Sequence, residues 1–315
     1  MARFVVRRIL SMVLVLFAIS VLSFSIFNVI PGGDPAVRMA GRNANTAQID
    51  AIRKDFGFDK PLYVQYGKTM QKIFTGDLIS YSSRLNVVDE IKKDIPRTFA
   101  LAIGAAIIWM AFAIALGLFS AMRAGQFSDR VLTVLALVGI SMPVFWFGAL
   151  MNYYLGFKAG LFPNGGYVPI AESPWQWFYH LIMPWTALSI LFIGVYSRIL
   201  RGNVRDTIND DYVRTARAKG LPERQVLVKH VLRNSLIPIV TLWGLDFGAV
   251  LGGGAILTET VFDLQGVGQY AFEAIGELDQ PPVMAITIFA AFFIVLLNTI
   301  VDIVYAALDP RIRLS

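Results

Sequence analysis

The stretch Asp211-Tyr-Val-Arg-Thr-Ala-Arg-Ala-Lys-Gly-Leu-Pro-Glu-Arg-Gln-Val-Leu-Val-Lys-His-Val-Leu-Arg-Asn-Ser-Leu-Ile-Pro238 is a basic, helix-prone island between two apolar segments. Its first part, Asp211 to Lys219, starts acidic and ends basic, as a helix dipole favours, and Gly220 stands where a helix would stop. Leu221-Pro222-Glu223 then opens a second helix, with the proline tolerated in its first turn. Two short helices hinged at a glycine are expected, lying in water beside a membrane. The plain alternative is a basic loop whose charge does no more than orient its neighbours in the bilayer.

The flanks decide the class. Hydrophobic residues make up 56% of the chain, its mean hydropathy is +0.59, and long uncharged runs recur, so the expected fold is an all-α polytopic membrane protein. The net charge of +6 sits in short loops beside apolar runs, which fits membrane orientation and not nucleic acid. With no cysteine, disulfides and thiolate metal sites are excluded.

Six spans follow: residues 1–30, Thr98 to Met122, Val131 to Phe157, about Trp177 to Ser197, Leu236 to Leu257, and Val283 to Val304. The first carries Arg3, Arg7 and Arg8, and its apolar run is too long for a signal peptide, so it reads as an uncleaved helix with a cytoplasmic N-terminus. Residues 31–97 form a small ordered external region, and residues 98–315 the five-helix core with the loop 198–235. Arg123 and Arg130, the basic loop itself, and Arg311 and Arg313 mark cytoplasmic ends. The connections near Lys158 and from Thr258 to Pro282 are poor in basic residues and belong outside, with Trp175, Trp177 and Tyr179 as an aromatic belt. Asn86 and Gln269 are therefore expected outside, and Arg217 and Arg311 inside.

Arg214-Thr-Ala-Arg-Ala-Lys-Gly220 resembles the cytoplasmic EAA loop of bacterial ABC importer permeases, in the form of the dipeptide/oligopeptide branch. Ala216 and Gly220 match the general motif, whereas Arg214 and Thr215 stand where it has Glu and Ala, and the closing Leu236-Ile237-Pro238 comes later than usual. Pro31-Gly-Gly-Asp-Pro35, Asp59-Lys-Pro-Leu-Tyr-Val-Gln-Tyr66 and Gly76-Asp-Leu78 resemble elements after the first helix of the B-type subunit, Gly33 being extra. Thr258-Glu-Thr-Val-Phe262 and Gly266-Val-Gly268 resemble the segment between the fifth and sixth helices. Gln265 replaces the family's proline there and is expected to loosen the turn.

The resemblance implies a type I ABC importer permease fold of six transmembrane helices. It assigns coupling to an ATPase to Tyr212, Arg214, Thr215, Ala216, Arg217, Ala218, Lys219 and Gly220, with small Ala216 letting the helix enter a groove. It further implies a homologous second permease subunit (C-type), two ABC ATPase subunits holding ATP and Mg, an extracytoplasmic substrate-binding protein, and no cofactor in this chain. Peptides are the implied cargo, with nickel or glutathione as alternatives within the branch. An ion-coupled secondary transporter would show its own ion site and inverted repeats, and a membrane enzyme a nucleophile with a base. Neither pattern is found, and His180 and His230 stand isolated.

Polar residues within spans are the pathway candidates. Asp246 lies about 200° around its helix from Gly244, one of a stripe with Gly248 and Gly252 suited to close helix contact. It either faces a cavity or makes a buried hydrogen bond within the subunit. Met142, Trp146 and Asn152 flank the break expected at Pro143 and either line the path or pack. Asp302 reads as an interfacial anchor. Gly67-Lys68-Thr69 mimics the end of a phosphate-binding loop, but Leu62 stands where its first glycine should, so no ATP site is expected in this chain.

Overall fold

The structure is a computed structural model and describes residues 2–29, 36–37 and 45–308. Pro31 to Pro35, Arg311 and Arg313 lie outside the described residues. The chain is helical: α1 Ala2–Val29, α2 Thr46–Phe56, α3 Leu62–Thr75, α4 Val87–Met122, α5 Phe127–Ser141 and α6 Val144–Met151, which runs on as a π-helical turn over Asn152–Lys158. Then come α7 Pro174–Thr207, α8 Asp211–Ala218 and α9 over residues 223–235, the middle of which, Val226–Leu232, is π-helical. The last elements are α10 Ile237–Ala249 with a π-helical end over Val250–Gly254, α11 Ile256–Val261, α12 Val267–Gly276 and α13 Gln280–Leu308. Among the described residues the β-type pairing is one isolated bridge, Ile79 with Asn86.

Among the described residues five helices are long and apolar enough to cross a membrane, and the bent pair of α5 with α6 and its π-helical end makes a sixth where the pair is counted as one span. The sequence explains the bend. Pro143 cannot donate to the preceding turn, so α5 stops at Ser141, Pro143 becomes the N-cap of α6, and the axes differ by 99°. In contrast α4 runs on through Pro96, from an Asn86 N-cap whose side chain accepts Val88 and Asp89 N–H groups. It crosses the boundary expected at residue 97, because Val87 and Ile91 bury their side chains against Val267 and Ala271 of α12 and keep the extra turns ordered.

The core is the seam between α4 and α7. Ala102, Ala105 and Ala106 give α4 a low face, and indoles and a hydroxyl from other helices use its carbonyls: Trp185 donates to Ala100 at 2.9 Å, Trp243 to Ala106 at 3.2 Å, and Ser189 to Ala105 at 3.0 Å. Burying an indole there gains apolar area while its N–H keeps a partner. α5 leans on α7, and α13 packs along α10. The glycine stripe carries this last contact: a Cβ on Gly244 would come within 2.2 Å of Val301, one on Gly248 within 3.1 Å of Leu297, and one on Gly252 within 2.4 Å of Ile294. α1 rests mainly on α13, where Arg8 and Asp302 pair at 3.0 Å.

Gly67-Lys68-Thr69 lies inside α3, and the Thr69 hydroxyl donates to the Gln65 carbonyl. A phosphate-binding loop needs N–H groups that point free. Here they belong to the helix ladder.

Candidate coupling and translocation site

At one end of the bundle α8 lies across the ends of the long helices. Its periodicity fixes which side faces in: Val213 and Ala216, three residues apart, are 0% and 5% exposed and pack with Val226, Leu227 and Val231 of α9, Val204 of α7 and Ile239 of α10. Ala216 therefore does not face outward as expected from the resemblance. Its smallness serves contact with the chain's own α9. The face left open consists of Asp211, Tyr212, Arg214, Thr215, Arg217, Ala218 and Lys219, with Arg214 3.7 Å from Asp211.

The turn after α8 is fixed at two points. Gly220 has φ +77° and donates its N–H to the Arg217 carbonyl, so it ends the helix in the left-handed conformation that glycine adopts without steric cost. Across it, the Arg217 guanidinium forks onto Glu223 at 3.1 and 2.7 Å and holds that carboxyl below its ordinary range. Tyr212 accepts a hydrogen bond from Asn234 at 2.7 Å. These contacts make α8 and α9 one unit. α9 then passes into α10 through Leu236 alone, with helical bonds from Leu236 to Leu232 and from Val240 to Leu236.

Next to this unit Asp129 at the start of α5 is 3% exposed and receives Arg201 of α7 through two bonds of 2.7 Å, the Gly125 N–H at 2.9 Å and the Ser120 hydroxyl. Sequence reasoning missed this pair. The available signal was an acid and a base near the same end of two neighbouring apolar spans, with 72 residues between them. A cavity of about 290 Å³ opens beside it, lined by Met142, Phe147, Arg198 and Arg201 among apolar side chains.

At mid-bundle the Tyr196 hydroxyl donates to Asp246 at 2.6 Å. Asp246 is half-buried on the side of α10 away from the glycine stripe, and of its two expected roles the hydrogen bond within the subunit is the one seen. Trp146, 48% exposed, stands on the outer surface of α6. Asn152 is a staple: its amide donates to the carbonyls of Asn164 and Val261, at 2.8 and 3.2 Å, joining α6 to the loop before α7 and to α11.

At the other end the turn before α12 is firm. Gln265 has φ +53°, which a proline ring forbids, and is held by its N–H to the Gln269 side chain at 2.7 Å and by Arg97 donating to its carbonyl at 2.7 Å. Replacing proline by glutamine thus changes the turn's backbone and does not loosen it.

Residues 113–314 match the family described as the binding-protein-dependent transport system inner membrane component, and residues 1–102 match the N-terminal segment of such membrane components. The chain belongs to this family. Among its relatives are a putative peptide transport system permease protein of Brucella abortus, 34% identical over 99% of each chain, and a glutathione transport system permease protein of Escherichia coli, 36% identical over 99% of each. A dipeptide transport system permease protein of Alkalihalophilus pseudofirmus is 34% identical over 99% of this chain and all of the relative. As a permease subunit the chain provides a membrane path and no covalent chemistry. The α8 face, the break at Pro143 and Asp246 are thereby read as parts of a transport subunit.

Proposed function

We propose that this permease is half of the translocation path of an ATP-driven importer of peptides in the bacterial inner membrane. It pairs with a homologous second permease, two ATPase subunits that bind ATP and Mg, and an extracytoplasmic binding protein. The N-terminus, α8 and the C-terminus lie in the cytoplasm, and the region around α3 and α12 lies outside, following the charge bias of the loops. The single observation behind the coupling role is that α8 buries its apolar face in its own subunit, keeps a basic face open, and is fastened across the Gly220 turn to α9, whose helical backbone runs on into α10.

In this reading Tyr212, Arg214, Thr215, Ala218 and Lys219 enter a groove of the ATPase, while Arg217 and Gly220 fix the shape of the turn. When ATP draws the ATPase subunits together, α8 and α9 move as a rigid body and α10 follows, carrying Asp246 relative to Tyr196. Asp246, Met142 and Trp146 face the path formed with the second permease, and Asn152 holds one end of it. Peptides carry an ammonium group, and a half-buried carboxylate is the chemistry that receives one.

Two measurements test this. Reversing charge on the open face, with Arg214→Glu and Lys219→Glu together, is expected to leave the subunit inserted and folded yet abolish ATPase retention on purification. Full retention with normal substrate-stimulated ATP hydrolysis would overturn the coupling role. For orientation, Lys219→Cys should resist an impermeant thiol reagent in intact cells while exposed Glu172→Cys reacts; the reverse would overturn it. Ligand binding to the partner binding protein then identifies the peptide class.

A further inference from the structure

Glu259 in α11 is 0% exposed. Its Oε2 accepts the Gln269 N–H at 2.9 Å, and its Oε1 has no hydrogen-bond partner. The group enters the start of α12 because two side chains are missing there: a Cβ on Gly266 would lie 2.5 Å from Oε2, and one on Gly268 2.8 Å from it. Glu259 also lines a cavity of about 240 Å³ between α10, α11, α12 and α13, whose other walls are apolar apart from Thr98 and Thr287.

No cation answers this carboxyl. The charged groups on the elements packed around it are Asp89, Glu90, Lys92, Lys93, Asp94 and Arg97 of α4, Asp263 before α12, Glu273 of α12 and Asp279 before α13, while the parts of α10 and α13 lining the cavity carry none. The bases among them are all committed elsewhere: Arg97 to Asp94 at 3.0 Å and to the Gln265 carbonyl, Lys92 to Asp89 at 3.3 Å, and Lys93 to Glu90 at 3.4 Å. Asp263 and Glu273 share the Gln269 amide, at 2.8 and 3.1 Å, and Asp279 is held by Ser80 and by the Tyr81 N–H. A carboxylate with one oxygen unanswered in such a place is strongly disfavoured, and the proton is the cation at hand.

We propose that Glu259 is seated as a neutral carboxylic acid between Gly266 and Gly268, and is the positioning residue whose ionisation releases α12 from α11. Burial first, opposed by the neighbouring Thr98 hydroxyl and the Gln269 and Gly268 N–H groups and reinforced by Asp94, lifts this carboxyl from 4.5 to about 7. Between those values the seated form binds more protons than the released one, so the seat weakens as pH rises through the window and is weakest above about 7. The consequence for transport rests on the peptide-importer reading. α11 follows the Gly253 kink that ends α10, so releasing α12 frees the end of the helix that carries Asp246.

The test reads the seat directly, in membranes carrying the full chain with its partner subunits. Ala271, 5% exposed on the inner face of α12, is replaced by cysteine, and its rate of reaction with a small uncharged maleimide is followed from about pH 6 to about pH 8, with Glu259 and with Glu259→Gln. Dividing the two rates removes the thiol's own titration. The ratio should rise about tenfold across that window, since the amide keeps the seat at every pH; a flat ratio would overturn the proposal. Should Glu259→Gln fail to assemble, infrared difference spectra of the unaltered transporter with isotopically labelled glutamate decide. A protonated carboxyl band lost over the same window supports the seat, and a carboxylate band already present at about pH 6 refutes it. Neither measurement uses peptide or ATP, so failure of the seat and failure of the transport reading are separable.

Discussion

The two ends of the molecule solve the same problem, fastening short helices to long ones, with opposite chemistry. At the α8 end the fastening is apolar: Val213 and Ala216 against Val226 and Val231, with charges turned outward or paired across Gly220. At the α12 end it is polar: Glu259, Thr98, Gln269 and Asp279 are buried and each accepts a backbone N–H, with one oxygen of Glu259 left unanswered. Apolar packing is insensitive to pH and to small changes of direction, which suits the rigid-body motion proposed for α8 and α9. A buried polar knot is all-or-none, since losing one partner leaves the rest unsatisfied. That suits the release of α12 proposed above.

The contrast breaks most severely if Ala216→Asp is tolerated. A carboxylate among Val226 and Val231 has no donor, so α8 should detach from α9 at a cost of roughly 3 kcal/mol or more, detected as protease sensitivity of the 208–222 segment even without ATPase subunits. Asp129→Ala ranks next. It strands Arg201, and because that side chain is 26% exposed the loss should be roughly 2–3 kcal/mol, below that of a fully buried pair, read as a lower midpoint of thermal unfolding in detergent. Gly220→Val should cost about 1–2 kcal/mol through its positive φ and, with nothing crowding the position, should be partly rescued by Gly220→Asn. The smallest effect belongs to Tyr196→Phe, expected to change stability by less than about 1.5 kcal/mol while altering transport, an outcome expected of Asp246→Asn as well. If Tyr196→Phe destabilises the bundle and leaves transport untouched, Asp246 belongs to the scaffold.

Most of the architecture was legible in local pattern. Apolar run length marked the spans, the spacing of Gly244, Gly248 and Gly252 marked a close contact, Pro143 marked the break, and Gly220 the end of α8. What escaped was set by residues far apart in the chain or by direction. The partner of Asp246 is 50 residues away, and Asp129 and Arg201 belong to different spans. Ala216 carried a signal that was readable, its place three residues after Val213, but a small residue fits an outer groove and an inner seam equally well. Gln265 was misjudged because a substitution for proline says nothing of the sign of φ, which is set by Arg97 and Gln269 closing on the turn.

The pairing of Arg8 with Asp302 joins the first helix to the last. During synthesis α1 leaves the ribosome long before its main partner exists, so it must wait in lipid alone while the remaining helices are made. Its mean hydropathy of 2.6, against 1.4 for α10, fits that history: the early helix dissolves in the bilayer unaided, and the late one, with its glycines and carboxylate, enters when neighbours are ready to receive it. On that order of synthesis the Arg8–Asp302 clasp can form only once α13 has been made.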